Sequence, residues 1–266
     1  IYTSTPLNIK LSYSSTLGAY FLGCCFTMSH IKLNHVSVHY GTTIALENIS
    51  GTFKSGSLTA VAGTNGAGKS TLLKAIMGEL PLSKGTIDCS SRIKRDIAYL
   101  PQAADIDRNF PLNVEDLVSL GTWRTNGAFR QLSKSCLTSV QDALIKVGLQ
   151  GHQKRQMCEL SAGQFQRVLF ARLLLQNTSV ILLDEPFTAI DEKTTQDLLN
   201  IVMEWHQAGR TIIAVLHDLQ QIQSHFPETL QLAKQQLYWG KSTHLFSSMS
   251  LTSTPNQQRI NHHDTV

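Results

Sequence analysis

The stretch Gly63-Thr64-Asn65-Gly66-Ala67-Gly68-Lys69-Ser70-Thr71 has residue types and spacing suited to holding a polyphosphate. It fits GxxxxGK[ST], the phosphate-binding loop. Glycines let backbone N–H groups turn inward around phosphate with no Cβ in the way. The helix expected from Lys69 to about Leu80 adds free N–H groups and the positive end of its dipole. In this reading Lys69 reaches the β and γ phosphates, Ser70 ligates Mg²⁺, and Thr71 adds an α-phosphate contact. A Gly-rich turn can arise by chance. This one follows an apolar strand, Leu58-Thr59-Ala60-Val61-Ala62, and opens a helix with Leu72, Leu73, Ile76 and Met77 on its core side.

Two further stretches carry matching chemistry. In Val180-Ile181-Leu182-Leu183-Asp184-Glu185-Pro186 the apolar run reads as a central parallel strand, and its acids fall at the C-terminal end, where such sheets bind ligands. Asp184 suits the Mg²⁺ shell and Glu185 suits the general base for an attacking water. Taken alone, the pair could also be an acidic strand cap before Pro186. In Leu160-Ser161-Ala162-Gly163-Gln164-Phe165-Gln166-Arg167, Ser161 can N-cap a helix and Gln164 completes a capping-box pattern, with Val168, Leu169 and Leu173 buried behind. That could be a cap and nothing more. The open Ser161-Ala162-Gly163 end is also an anion site, so one nucleotide could be gripped from two sides.

Elements of two periodicities must position these residues. Ile31, Leu33, Val36, Val38 and Tyr40 alternate as a strand, with a slip near Asn34–His35. Gly41-Thr42-Thr43 turns the chain, and Ile44 to Phe53 returns it. A strand from Thr211 to Leu216 delivers His217. From about Phe110 to Gln176 the pattern is mostly helical. One helix opens at Asn113-Val114-Glu115-Asp116 and runs through Leu120. A polar loop spans Arg124 to Lys134, and a second helix carries Leu137, Val140, Leu144 and Val147 before Gly148.

Composition narrows the classes. The chain has 266 residues, 42% hydrophobic and 16% charged, enough for one large domain or two lobes. The net charge of +4 comes from scattered Lys and Arg, which gives no reason to expect a nucleic-acid partner. Cys24, Cys25, Cys89, Cys136 and Cys158 form no CxxC, so neither a disulfide framework nor a zinc site is indicated. Residues 1–27 hold a short apolar run, LGAYFLGCCF, that reads either as a signal-like segment or as sequence upstream of a start at Met28. The second reading is the expectation, so that deleting 1–27 should leave folding and the activity of the phosphate loop intact. His262-His263-Asp264 could ligate a metal, but a flexible tail over 241–266 is the expectation.

On these residues the chain resembles the nucleotide-binding subunit of an ATP-binding cassette (ABC) transporter. LSAGQ is similar to the family signature LSGGQ, with Ala162 in place of the first glycine. The resemblance, over about Ile31 to Gly240, adds roles. Tyr40 stacks on adenine. Gln102 of Tyr99-Leu100-Pro101-Gln102 matches the Q-loop and also contacts Mg²⁺. Thr188-Ala189-Ile190-Asp191 resembles the D-loop, and His217 matches the switch histidine that bonds the γ-phosphate. It implies an α/β fold: a P-loop NTPase core, an antiparallel β subdomain and a helical signature subdomain at about 110–176, within a domain spanning 28–240. It also implies a head-to-tail homodimer sandwiching ATP, in which Ser161, Gly163 and Gln164 face the partner's nucleotide.

The same resemblance implies integral membrane permease subunits and, indirectly, a solute-binding protein. The ATPase would then lie on the cytoplasmic face of the inner membrane. Arg108 to Gly121 and Asp184 to Asp191 are similar to the ATPases of zinc and manganese importers. Siderophore, haem and cobalamin importers share a similar helix start. A cytosolic ABC-type ATPase not coupled to transport and a nucleotide-sensing module remain alternatives.

Overall fold

The computed structural model describes residues 30–89, 96–126, 133–245 and 247. The expectations for 1–27, for the start at Met28 and for His262-His263-Asp264 lie outside the described residues.

The chain opens with an antiparallel hairpin, β1 (Ile31–Tyr40) and β2 (Thr43–Phe53). The expected slip is a register shift between Leu33 and Val36, with His35 at φ 49° and its Nδ1 2.8 Å from Asn48 Oδ1. Next come β3 (Leu58–Ala62), buried at every position, and α1 (Lys69–Met77). Helix α1 is shorter than the apolar pattern suggests. Gly78 adopts a left-handed cap and donates its N–H to Ala75 O, which ends the helix before Leu80. β4 (Lys84–Asp88) pairs back on β1, and β5 (Ile97–Leu100) starts the next segment.

The helical region comprises α2 (Val114–Ser119), α3 (Trp123–Asn126), α4 (Lys134–Lys146) and α5 (Ala162–Gln176). Asn113 caps α2 in a capping box with Asp116. The α-helix expected through Leu120 gives way at Leu120–Thr122 to a 3₁₀ turn. Ser119 Oγ donates to Asp116 O and Thr122 Oγ1 to Ser119 O, hydroxyl bonds that compete with the regular ladder. The polar stretch expected as a loop from Arg124 begins instead inside α3, and Lys134 opens α4; residues 127–132 lie outside the described residues.

The chain then runs through β6 (Val180–Asp184), α6 (Glu192–Gln207), β7 (Thr211–Val215), α7 (Leu219–His225), β8 (Glu228–Ala233) and β9 (Gln235–Lys241). Ordered packing passes the expected end at Gly240. Ser242 is buried, with its Oγ donating to Phe226 O at 2.5 Å, and Leu245 is buried as well.

The sheet order is β4-β1-β2-β9-β8-β3-β7-β6-β5. Strands β8, β3, β7, β6 and β5 run parallel, and each of their faces is covered. On one face Ile181, Leu183, Ile212 and Ala214 pack with α2, α4, α5 and α6 residues such as Val118, Leu144, Phe165 and Trp205. On the other, Val180, Leu182, Ile213 and Val215 pack with Leu72, Leu73 and Ile76 of α1 and with the hairpin. This is an α/β core flanked by an antiparallel β lobe and a helical lobe. Among the described residues no helix is long and apolar enough to cross a membrane, and Cys136 and Cys158 form no disulfide.

Candidate nucleotide site

Because β3, β5, β6 and β7 are parallel neighbours, the residues that leave their C-terminal ends gather at one edge of the sheet. The phosphate loop follows β3, Gln102 follows β5, Asp184 and Glu185 end β6, and His217 follows β7. A cleft of about 740 Å³ opens there. It is lined by Asn65, Gly66, Gly68, Lys69, Ser70 and Thr71 of the loop, and by Ala45, Gln102, Glu185, Thr188 and His217.

The loop keeps its shape because its base is crowded. A Cβ on Gly63, at φ 155°, would sit 2.3 Å from Leu232 O. Ala67 is buried, and its backbone carbonyl accepts from Lys234 N at 3.0 Å. Lys69 is also buried. Its Nζ donates to Gly63 O and Thr64 O, each at 3.0 Å, so the ammonium folds back across the loop. Burial pulls the Lys69 amine below its ordinary range, and the charges of Glu185 and Asp184 oppose that shift.

Asp184 is almost fully buried. Ser70 Oγ donates to its Oδ1 at 3.1 Å and the Tyr99 hydroxyl to its Oδ2 at 3.2 Å. Burial pushes the Asp184 carboxyl up, while hydrogen bonds from Ser70, Tyr99 and Gln102 act to lower it. Burial first, and then the Asp184 charge, push the Tyr99 phenol well above its ordinary value, so it stays a donor. Glu185 adopts a left-handed backbone at φ 50°. Its Oε1 lies 2.6 Å from His217 Nε2, and Thr188 Oγ1 donates to Oε2 at 3.3 Å.

The expected residues fall into two groups. The loop residues, Gln102, Asp184, Glu185 and His217 converge. Ser161, Gly163, Gln164 and Asp191 do not line the cleft. Ser161 Oγ accepts from Gln164 N at 3.2 Å and Gln164 Oε1 from Ser161 N at 3.1 Å, a complete capping box at the start of α5. Asp191 caps α6 by accepting from Thr194 N and Thr194 Oγ1, and these bonds hold its carboxyl below the usual range. The two helix starts touch: a Cβ on Gly163 would lie 3.3 Å from Thr194 Oγ1 and 3.5 Å from Asp191 Oδ2. Arg167 of α5 clamps Thr194 and Asp197 of α6. Tyr40, at the end of β1, is half exposed and stands outside the cleft lining. Thr188, the first residue of the D-loop match, lines the cleft, and so does Ala45, which no sequence pattern announces.

Known proteins resemble this chain in sequence and in fold. Residues 46–188 match the family model described as ABC transporter. The manganese transport system ATP-binding protein MntA of Synechocystis sp. is 38% identical, over 84% of this chain and 89% of its own. MntB of Listeria monocytogenes, a manganese transport system ATP-binding protein, is 34% identical over 82% and 92%. The zinc transport system ATP-binding protein TroB of Treponema pallidum is 35% identical over 76% and 77%. Among solved structures, a dimeric bacterial ABC transporter cassette superposes with a TM-score of 0.71 at 24% identity, covering 80% of this chain and 98% of that one. That likeness speaks for the fold, while the sequence matches speak for kinship: the chain belongs to the ABC transporter family.

Proposed function

We propose that the protein is the ATP-hydrolysing subunit of an importer for a divalent transition metal, zinc or manganese, working as a pair of cassettes. One observation carries the site. The phosphate loop, Gln102, Glu185 and His217 line one cleft with Asp184 bonded to Ser70 beside it, while the start of α5 is not part of that lining and is capped by its own residues.

In this reading the N–H groups from Gly63 to Thr71 wrap the phosphates. Lys69 leaves its two loop carbonyls for the β and γ phosphates, and Tyr40 stacks on adenine, as its exposed ring allows. Ser70, Gln102 and Asp184 form a cluster of oxygen donors of the kind Mg²⁺ prefers, so these residues fit that ion. When bound, Mg²⁺ would neutralise charge on the β and γ phosphates. Glu185 takes the proton of the attacking water, and His217, now touching Glu185, turns to hold the γ-phosphate. Ser161, Gly163, Gln164 and Asp191 serve the nucleotide of a second copy in a head-to-tail dimer. Binding of ATP closes the pair and hydrolysis reopens it, because ATP has different affinity for the two states.

Membrane permease subunits receive this motion on the cytoplasmic face of the inner membrane, with a solute-binding protein supplying cargo. The manganese and zinc transport proteins among the relatives support the cargo class. Growth of a deletion strain under metal chelation tests it, with rescue by zinc or manganese expected. Rescue only by a siderophore-independent iron source or by cobalamin sinks the cargo and leaves the ATPase standing.

A further inference from the structure

Strands β5 and β6 are parallel neighbours, with Tyr99 opposite Leu182 and Leu100 opposite Leu183. Side chains alternate between the two faces of a sheet. Ala98 and Leu100 pack with Ile181 and Leu183 on the α5 side. Ile97 and Tyr99 turn the other way, against the cluster that holds Val180, Leu182 and the α1 residues. Asp184 lies two residues past Leu182 and so shares that second face. The register therefore sets Tyr99 diagonally from Asp184, at a separation an aromatic side chain can span. Its hydroxyl donates to Asp184 Oδ2 at 3.2 Å, while Ser70, at the start of α1, donates to Oδ1 at 3.1 Å. One carboxylate oxygen is thus held by the helix and the other by the last strand of the sheet.

Building on the Mg²⁺–ATP reading of the cleft, we infer that Tyr99 is a positioning residue for Asp184. It anchors Oδ2 so that Oδ1 stays turned toward Ser70 and the metal position. The other donors to Asp184, Ser70 and Gln102, belong to the metal site themselves, so their bonds to Asp184 are exchanged when that site is filled. Tyr99 has no such second task, and its backbone is fixed by the β5–β6 ladder. Phenylalanine would preserve the ring and its packing but leave Oδ2 without that donor. The carboxylate would then be free to rotate. Outer hydrogen bonds of this kind orient the groups that bind the metal and tune its affinity.

The test is Tyr99→Phe in the full chain. Mn²⁺ is titrated by electron paramagnetic resonance in the presence of a non-hydrolysable ATP analogue, and a fluorescent ATP analogue is titrated separately in EDTA. Mn²⁺ affinity should fall about tenfold, and the Mg²⁺ needed for half-maximal ATP hydrolysis should rise in step. Metal-free nucleotide affinity and melting temperature should stay as in the wild type. Unchanged Mn²⁺ affinity overturns the inference, as does an equal loss of metal-free nucleotide affinity, the mark of a packing defect. Asp184→Asn separates the layers. If it binds Mn²⁺ as tightly as the wild type, the metal-site reading itself is overturned. If it weakens binding while Tyr99→Phe does not, only the positioning role falls.

Discussion

Glu185 sits at φ 50°, a backbone conformation that costs a residue with a side chain about 1–3 kcal/mol. The cost aims its carboxylate at His217 and Thr188 at the mouth of the cleft. With Glu185 as the proposed general base, Glu185→Gln should keep ATP binding and lower turnover by about 10²–10⁴. Phosphate release measured beside nucleotide affinity checks this, and near-normal turnover would sink the assignment. Lys69→Ala should do the reverse in order of effect, weakening ATP binding first. Both residues were legible in the sequence, because a buried lysine in a glycine loop and paired acids after an apolar strand have few other uses. Tyr99 was not, because an aromatic in a strand reads as core, and only the strand register shows which carboxylate its hydroxyl meets.

At the scale of elements, the starts of α5 and α6 act as one unit, joined through Gly163, Thr194, Asp191 and Arg167. Ser161→Ala removes a cap worth about 1 kcal/mol. Its melting temperature should fall slightly and its ATPase activity by far more, since in the proposed dimer Ser161 also serves the nucleotide of the second copy. A parallel loss in both would leave Ser161 as a cap only. Asp191 adds a pH signature. Its folded carboxyl titrates below the unfolded one, so its contribution to stability is present above the unfolded pKa and lost as pH falls through the folded pKa. Melting curves of wild type and Asp191→Ala should differ near neutrality and draw together in acid. The cap at Ser161 and the helix start at Asn113 could be read from local patterns. The 3₁₀ break after Ser119 could not, since hydroxyl back-bonding there wins over an unbroken apolar helical period.

At the scale of the whole molecule, the α5 start does not line the cleft, and in the dimer proposed above a complete site takes two copies. Glu185→Gln should elute from gel filtration as a dimer with ATP and Mg²⁺, and as a monomer without nucleotide. A variant that stays monomeric with ATP would remove the sandwich. The order of the sheet was hidden from the sequence, because β8 and β9 return from the far end of the chain to lie between β2 and β3. Local periodicity cannot report a pairing that distant. That return leaves the sheet mechanically uneven. β2 and β9 pair at one position, Glu47 with Gln235, where Glu47 N donates to Lys234 O. The rest of the joint is the Phe53–Trp239 ring contact and side-chain bonds such as Gln235 to Glu47. Under tension the parallel half is a laminate, gripped along whole strands and resisting shear. The β2–β9 joint is a tacked seam, so a tether pulling the β1–β2 hairpin away from the core should part it there, at lower force than any tear between β3 and β7.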